Sequence, residues 1–85
     1  MNNELKLGIY KHYKGNFYKV IGVGRHSETL EEYVIYSALY ESKVFGEGAL
    51  WIRPKKMFTE DVFVNEKVTP RFEYIGEAET LKPDA

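Results

Sequence analysis

The sequence contains no cysteine. That excludes a disulfide framework, thiolate zinc sites and a cysteine nucleophile, and it points to a reducing, cytoplasmic setting. No apolar run approaches the ~18 residues of a membrane-spanning helix, and no charged, apolar, small-residue leader opens the chain. Neither a membrane span nor a signal peptide is therefore expected. No internal repeat and no low-complexity segment occurs. Charge of one sign is also lacking: the formal net charge is −1, which by itself indicates no class of partner. At 85 residues the chain is too short for a second domain, and one domain spanning 1–85 is expected, with a core from about 8 to 75 and tails at 1–6 and 77–85.

What is present is apolar and aromatic. A composition 44% hydrophobic and 29% charged is that of a globular chain, and seven Tyr, five Phe and one Trp are more rings than so small a core needs. The charges are sorted along the chain. Residues 1–26 are net +4, 27–49 net −4, 50–72 net +2 and 73–85 net −3. Two meanings stay open: basic and acidic strands pairing side by side, or a basic face for a polyanion.

Strand signals dominate. Gly8 to Tyr13 alternates, with Ile9, Lys11 and Tyr13 on one side and Tyr10 and His12 on the other. Lys14-Gly15-Asn16 then supplies a turn before the β-rich run Phe17 to Val23, predicting a hairpin. Gly22 and Gly24 share one face and mark a bend or a close backbone approach. Tyr33 to Tyr40 reads as a strand, although its tyrosines also fall at helical spacing. Leu50 to Arg53 reads as a strand ended by Pro54, Lys55 to Asp61 as a tight or 3₁₀ turn, and Val62 to Val64 and Arg71 to Ile75 as further strands. Five to six short antiparallel strands with at most a short 3₁₀ turn predict an all-β fold, a small closed or nearly closed barrel.

The densest polar stretch is Arg25-His26-Ser27-Glu28-Thr29-Leu30-Glu31-Glu32. A Ser-His-acid hydrolase would need His26 to take the Ser27 proton, but neighbours in an extended chain diverge and no Gly-x-Ser-x-Gly elbow is present. No catalytic residues are assigned. His12, His26 and Glu28 have no metal-ligand spacing, and Gly22-x-Gly24 has neither a third glycine nor a following helix, so no metal site and no cofactor is expected. The structural alternative uses Ser27 and Thr29 to bond nearby backbone, with Thr29 to Glu32 as a capping box. Trp51 and Arg53 share a strand face, where a guanidinium can stack on the indole or take a carboxylate or phosphate. The alternative there is a Trp51 plug with Arg53 paired to Glu28 or Glu32. Pro70-Arg71-Phe72 places another arginine beside an aromatic.

Taken in order, Gly8-x-Tyr10-x-His12-Tyr13-Lys14-Gly15-Asn16-x-Tyr18-x-Val20, His26 to Glu31, Val34-x-Tyr36-x-x-Leu39-Tyr40, Trp51-x-Arg53-Pro54-x-x-Met57-Phe58-x-Glu60-x-Val62 and Pro70-Arg71-Phe72 form one pattern. It resembles the bacterial domain-of-unknown-function family 1653, over roughly residues 8 to 75. The resemblance implies an SH3-like β-barrel and supplies no activity, substrate or cofactor. Its signature polar positions fall here at His12, His26, Ser27, Glu28, Thr29, Arg53 and Arg71. Two departures stand out: residues 41–49 look long for the loop expected there, and Val64-Asn65-Glu66-Lys67 lacks a turn glycine. The expectation is a non-catalytic binding module, monomeric or weakly dimeric, taking a peptide or small ligand. Its surface would combine His26, Ser27, Glu28, Trp51, Arg53 and Arg71, with Tyr10 and Tyr36 as aromatic walls. A nucleic-acid-binding module is the alternative, and a small hydrolase or metal enzyme using His26 the third.

Overall fold

The computed structural model describes residues 5–77; positions 1–4 and 78–85, most of the two tails, lie outside the described residues. Strands β1 (Gly8–His12), β2 (Phe17–Arg25), β3 (Glu32–Ala38), β6 (Leu50–Pro54) and β9 (Phe72–Gly76) form one antiparallel sheet in the order β6-β3-β2-β1-β9. Two ribbons complete the strands: β4 (Glu41–Ser42) with β5 (Gly46–Glu47), and β7 (Asp61–Val64) with β8 (Lys67–Pro70). The class is all-β, as the alternation indicates. Among the described residues no ladder joins β6 to β9, so the sheet does not close into a barrel.

The β1–β2 hairpin forms where the turn residues place it. Gly15 has φ +114°, and its N–H donates to the His12 carbonyl at 2.7 Å, a conformation glycine reaches without a Cβ clash. The run after Tyr33 is a strand only to Ala38; Leu39 turns away, its N–H donating to the Phe17 carbonyl. Lys55–Phe58 is a four-residue α-helix, α1, where a 3₁₀ turn was expected, and Thr59 caps it by donating from Oγ1 to the Lys55 carbonyl. The capping box at Thr29 does not open a helix: Leu30 has φ +65°, and Thr29 Oγ1 instead accepts the Glu31 N–H.

Two irregularities bend the sheet, between Ile9 and Tyr10 and between Val20 and Gly22. Gly22 therefore sits beside a bulge, and nothing lies within 4 Å of where its Cβ would stand. The close approach occurs at Gly8, φ +139°, where a Cβ would meet the Gly76 carbonyl oxygen at 2.5 Å. Curvature is evident from ring contacts. Tyr36 on β3 and Phe72 on β9 are three strands apart, about 14 Å in a flat sheet, yet their rings lie 5.5 Å apart. The curved inner face holds the core: Tyr10, Val20, Val34, Tyr36 and Phe72, covered by Phe58 of α1, with Leu5, Tyr18, Trp51 and Tyr74 packed around it. The sorted charges meet across this sheet, Arg25 of β2 facing Glu32 of β3 with a 3.5 Å ion pair, and Lys11 of β1 facing Glu73 of β9.

Candidate ligand-binding surface

Strand alternation sets which side chains share the inner face. Tyr10 and His12 on β1, Tyr18 on β2, Tyr36 on β3, Trp51 and Arg53 on β6, and Phe72 on β9 are all in one phase, as their mutual contacts confirm. Curvature then brings the two sheet edges together. Arg53 Cζ lies 5.6 Å from the Phe72 ring centroid, although β6 and β9 are opposite edges of the sheet. Phe72 stacks flat on Phe58 at 4.0 Å and takes the edges of His12, Tyr18 and Tyr36 around it.

Polar groups ring this aromatic floor. Arg53 donates from Nε to the Tyr36 hydroxyl at 3.2 Å, while Tyr18 and Tyr40 join hydroxyls at 2.8 Å. Arg71 is fixed through its backbone, its N–H on the Glu60 carbonyl and its carbonyl accepting the Tyr13 N–H. Its guanidinium meets Glu60 at 3.6 Å, and its Nε is buried with no acceptor. His12 is half-buried, with Nδ1 accepting the Lys14 N–H at 3.1 Å. Burial, then the cations of Arg53, Arg71 and Lys14, hold the imidazole below its usual pKa.

Of the residues singled out from the sequence, Arg53, Arg71, Tyr36, Tyr10 and Trp51 meet on this face. Tyr10 and Tyr36 are buried in the core rather than standing as open walls. Tyr10 donates its hydroxyl to the Lys6 carbonyl at 2.7 Å, which anchors a residue assigned to the tail. Trp51 is half-buried and takes the edge of Phe45 from the long 41–49 segment, which folds as the β4–β5 ribbon. His12, which three cations face, entered the sequence reading through its strand phase with Tyr10, as a rejected metal ligand and as a family position.

His26, Ser27 and Glu28 sit elsewhere, in the exposed β2–β3 turn. The His26 ring lies 6.1 Å from that of Tyr33, which alternates with Val34 and so faces away from the core. His26 Nδ1 accepts the N–H groups of Glu28 and Thr29, and its backbone bonds Leu30 and Glu31, so the side chain organises the turn. With Nδ1 an acceptor, the neutral ring carries its proton on Nε2, the atom a serine hydroxyl would need as base. Among the described residues no carboxylate bonds to this ring. Glu32 is shared by Arg25 and Lys55, each at 3.5 Å, and is not a partner of Arg53. A cleft of about 850 Å³ runs beside this turn, lined by Leu5, Thr29, Glu31, Glu32, Lys55, Lys56 and Thr59. Among the described residues no three His, Asp or Glu side chains gather as metal ligands, and no helix is long and apolar enough to cross a membrane.

Comparison with known proteins places this arrangement in a family. Residues 8–74 match a family described as proteins of unknown function, DUF1653. The structure is similar to a crystal structure of a DUF1653 protein from Bordetella bronchiseptica, with a TM-score of 0.79 and 31% identity. The likeness covers 95% of this chain and 96% of that one. No curated protein matches the sequence.

Proposed function

The chain belongs to the DUF1653 family of proteins of unknown function, and on that premise we propose that it is a non-catalytic binding module for a peptide or small ligand. The binding surface in this reading is the basic rim of the inner sheet face, Arg53, Arg71 and His12 around Phe72, with Trp51 beside it. One observation carries the reading: two guanidiniums and an imidazole converge where, among the described residues, a single carboxylate, that of Glu60, answers them. Uncompensated charge next to aromatic surface is costly to maintain for stability alone and is useful for recognition. The absence of cysteine supports a cytoplasmic setting, and the Bordetella relative supports a bacterial one.

The test is a series of ¹H–¹⁵N spectra of the full chain against a panel of short peptides and single-stranded oligonucleotides. Shift changes clustered at residues 12–13, 53 and 71–72, and lost in Arg53→Ala, are expected with at least one peptide. Changes confined to residues 26–29, or spread evenly over the surface, would count against it. Oligonucleotide binding that falls steeply with salt would favour the nucleic-acid reading instead.

A further inference from the structure

We propose that Arg53, Arg71 and His12 form a receptor for one carboxylate group, and that Glu60 occupies part of it in the free protein. This inference rests on the binding-module reading and names the chemistry of its ligand.

The cations come from separate elements and face one imidazole. Arg53 projects from β6, Arg71 directly precedes β9, and Lys14 stands in the β1–β2 turn; the rings of Tyr13, Tyr18 and Phe72 complete the surroundings of His12. Arg53 commits Nε to a neutral hydroxyl, and among the described residues no carboxylate pairs with it. A guanidinium in that state presents its remaining N–H fork to a planar acceptor, the geometry a carboxylate matches. Being partly withdrawn from water, these charges act through a lower effective dielectric than surface lysines do.

Glu60 is a loose occupant. Its oxygen lies 3.6 Å from Arg71 Nη2, well beyond the 2.7–2.9 Å of a strong charge-assisted bond. The Arg71 side chain is 21% exposed and the Glu60 side chain 52%, so the acid keeps more of its contact with water than the cation does. The unpartnered Arg71 Nε shows that Glu60 satisfies only part of the fork. An incoming carboxylate that displaces Glu60 adds negative charge beside His12. The imidazole accepts Lys14 N–H at Nδ1, so its Nε2 carries the proton; added negative charge favours a second proton, which goes to Nδ1 and releases the Lys14 N–H to water. Binding is then accompanied by proton uptake at His12.

The test follows the His12 imidazole by NMR across pH in the full chain, with three probes: acetyl-glycyl-glycine, its amide, and acetyl-aspartate amide, against sodium chloride at matched ionic strength. At least one acid is expected to raise the His12 midpoint and shift the Arg53 and Arg71 side-chain signals, the tighter acid identifying a chain terminus or an acidic side chain as source. Glu60→Gln, an exposed change, is expected to tighten that acid by about threefold, the scale of a lost surface ion pair, and Arg71→Gln to abolish the effect. An effect reproduced by chloride, equal binding of the amide, or a Glu60→Gln variant that binds no tighter overturns the carboxylate assignment. A neutral peptide binding at residues 12, 53 and 71 would do so while leaving the module reading intact.

Discussion

His12 links stability to the state of the candidate site. Burial and the cations of Arg53, Arg71 and Lys14 hold the imidazole of the folded chain below its usual pKa, while the unfolded chain titrates at the ordinary value near 6.5. As pH falls through that value the unfolded state takes up the proton more readily than the folded state, so the stability present above pH 6.5 declines. The urea midpoint is expected to drop between pH 7 and pH 5, and His12→Gln to flatten that drop; a parallel slope in the variant would assign it to other groups. Tyr10 gives the opposite limb. Burial, with Tyr74 adjacent, pushes its phenol from 10.0 up to about 12, and Tyr18 is raised by burial and its Tyr40 bond. A folded phenol that holds its proton longer than an unfolded one supports the fold below pH 10 and loses that contribution as pH climbs toward 12. Melting temperature is expected to fall over pH 10 to 11 in the native chain, and less in Tyr10→Phe.

The β7–β8 ribbon shows what a two-residue turn demands of its sequence. Asn65 at φ +50° and Glu66 at φ +62° both adopt the left-handed conformation of a type I′ turn, which Asn tolerates and Glu does not favour. Replacing Glu66 by Gly removes that strain and is expected to stabilise by about 0.5–1 kcal/mol, read as a higher urea midpoint at unchanged slope. No gain would mean the ribbon is already open in the folded state. The same turn explains what was hidden in the sequence. The β1–β2 hairpin was legible because Lys14-Gly15-Asn16 announces its turn, whereas β8 escaped because Asn65-Glu66 has no glycine and Lys67–Pro70 ends in proline. The helix α1 is a single turn, too short for any periodicity to accumulate. For the site, the phases of His12, Trp51 and Arg53 were readable strand by strand. That β6 and β9 would meet over Phe72 depends on curvature from two bulges, which no local pattern encodes.

At the scale of the whole molecule, an unclosed sheet must cover its inner face with something other than its own strands, and that cover is Phe58. It is 1% exposed, stacked on Phe72 at 4.0 Å and edge-on to Tyr10 and Tyr36, and so touches the three other aromatic residues of a small core. A chain of this length is expected to be stable by about 4–13 kcal/mol. Phe-to-Ala truncation at a packed site removes about 3–5 kcal/mol, a large part of that margin. Phe58→Ala is therefore expected to be mostly unfolded at 37 °C or to melt far below the native chain, whereas Phe63→Ala, at a ring 72% exposed on β7, should change stability by less than about 0.5 kcal/mol. Equal effects of the two substitutions in urea titrations would show that α1 does not hold the sheet. Phe58→Leu separates folding from function, because it keeps part of the apolar volume and so costs less than the Ala truncation, but removes the flat ring stacked on Phe72. Arg53 rests on that same Phe72. The Leu variant should fold and yet shift the Arg53 Nε signal, because the ring that Arg53 touches is the one that Phe58 stacks on.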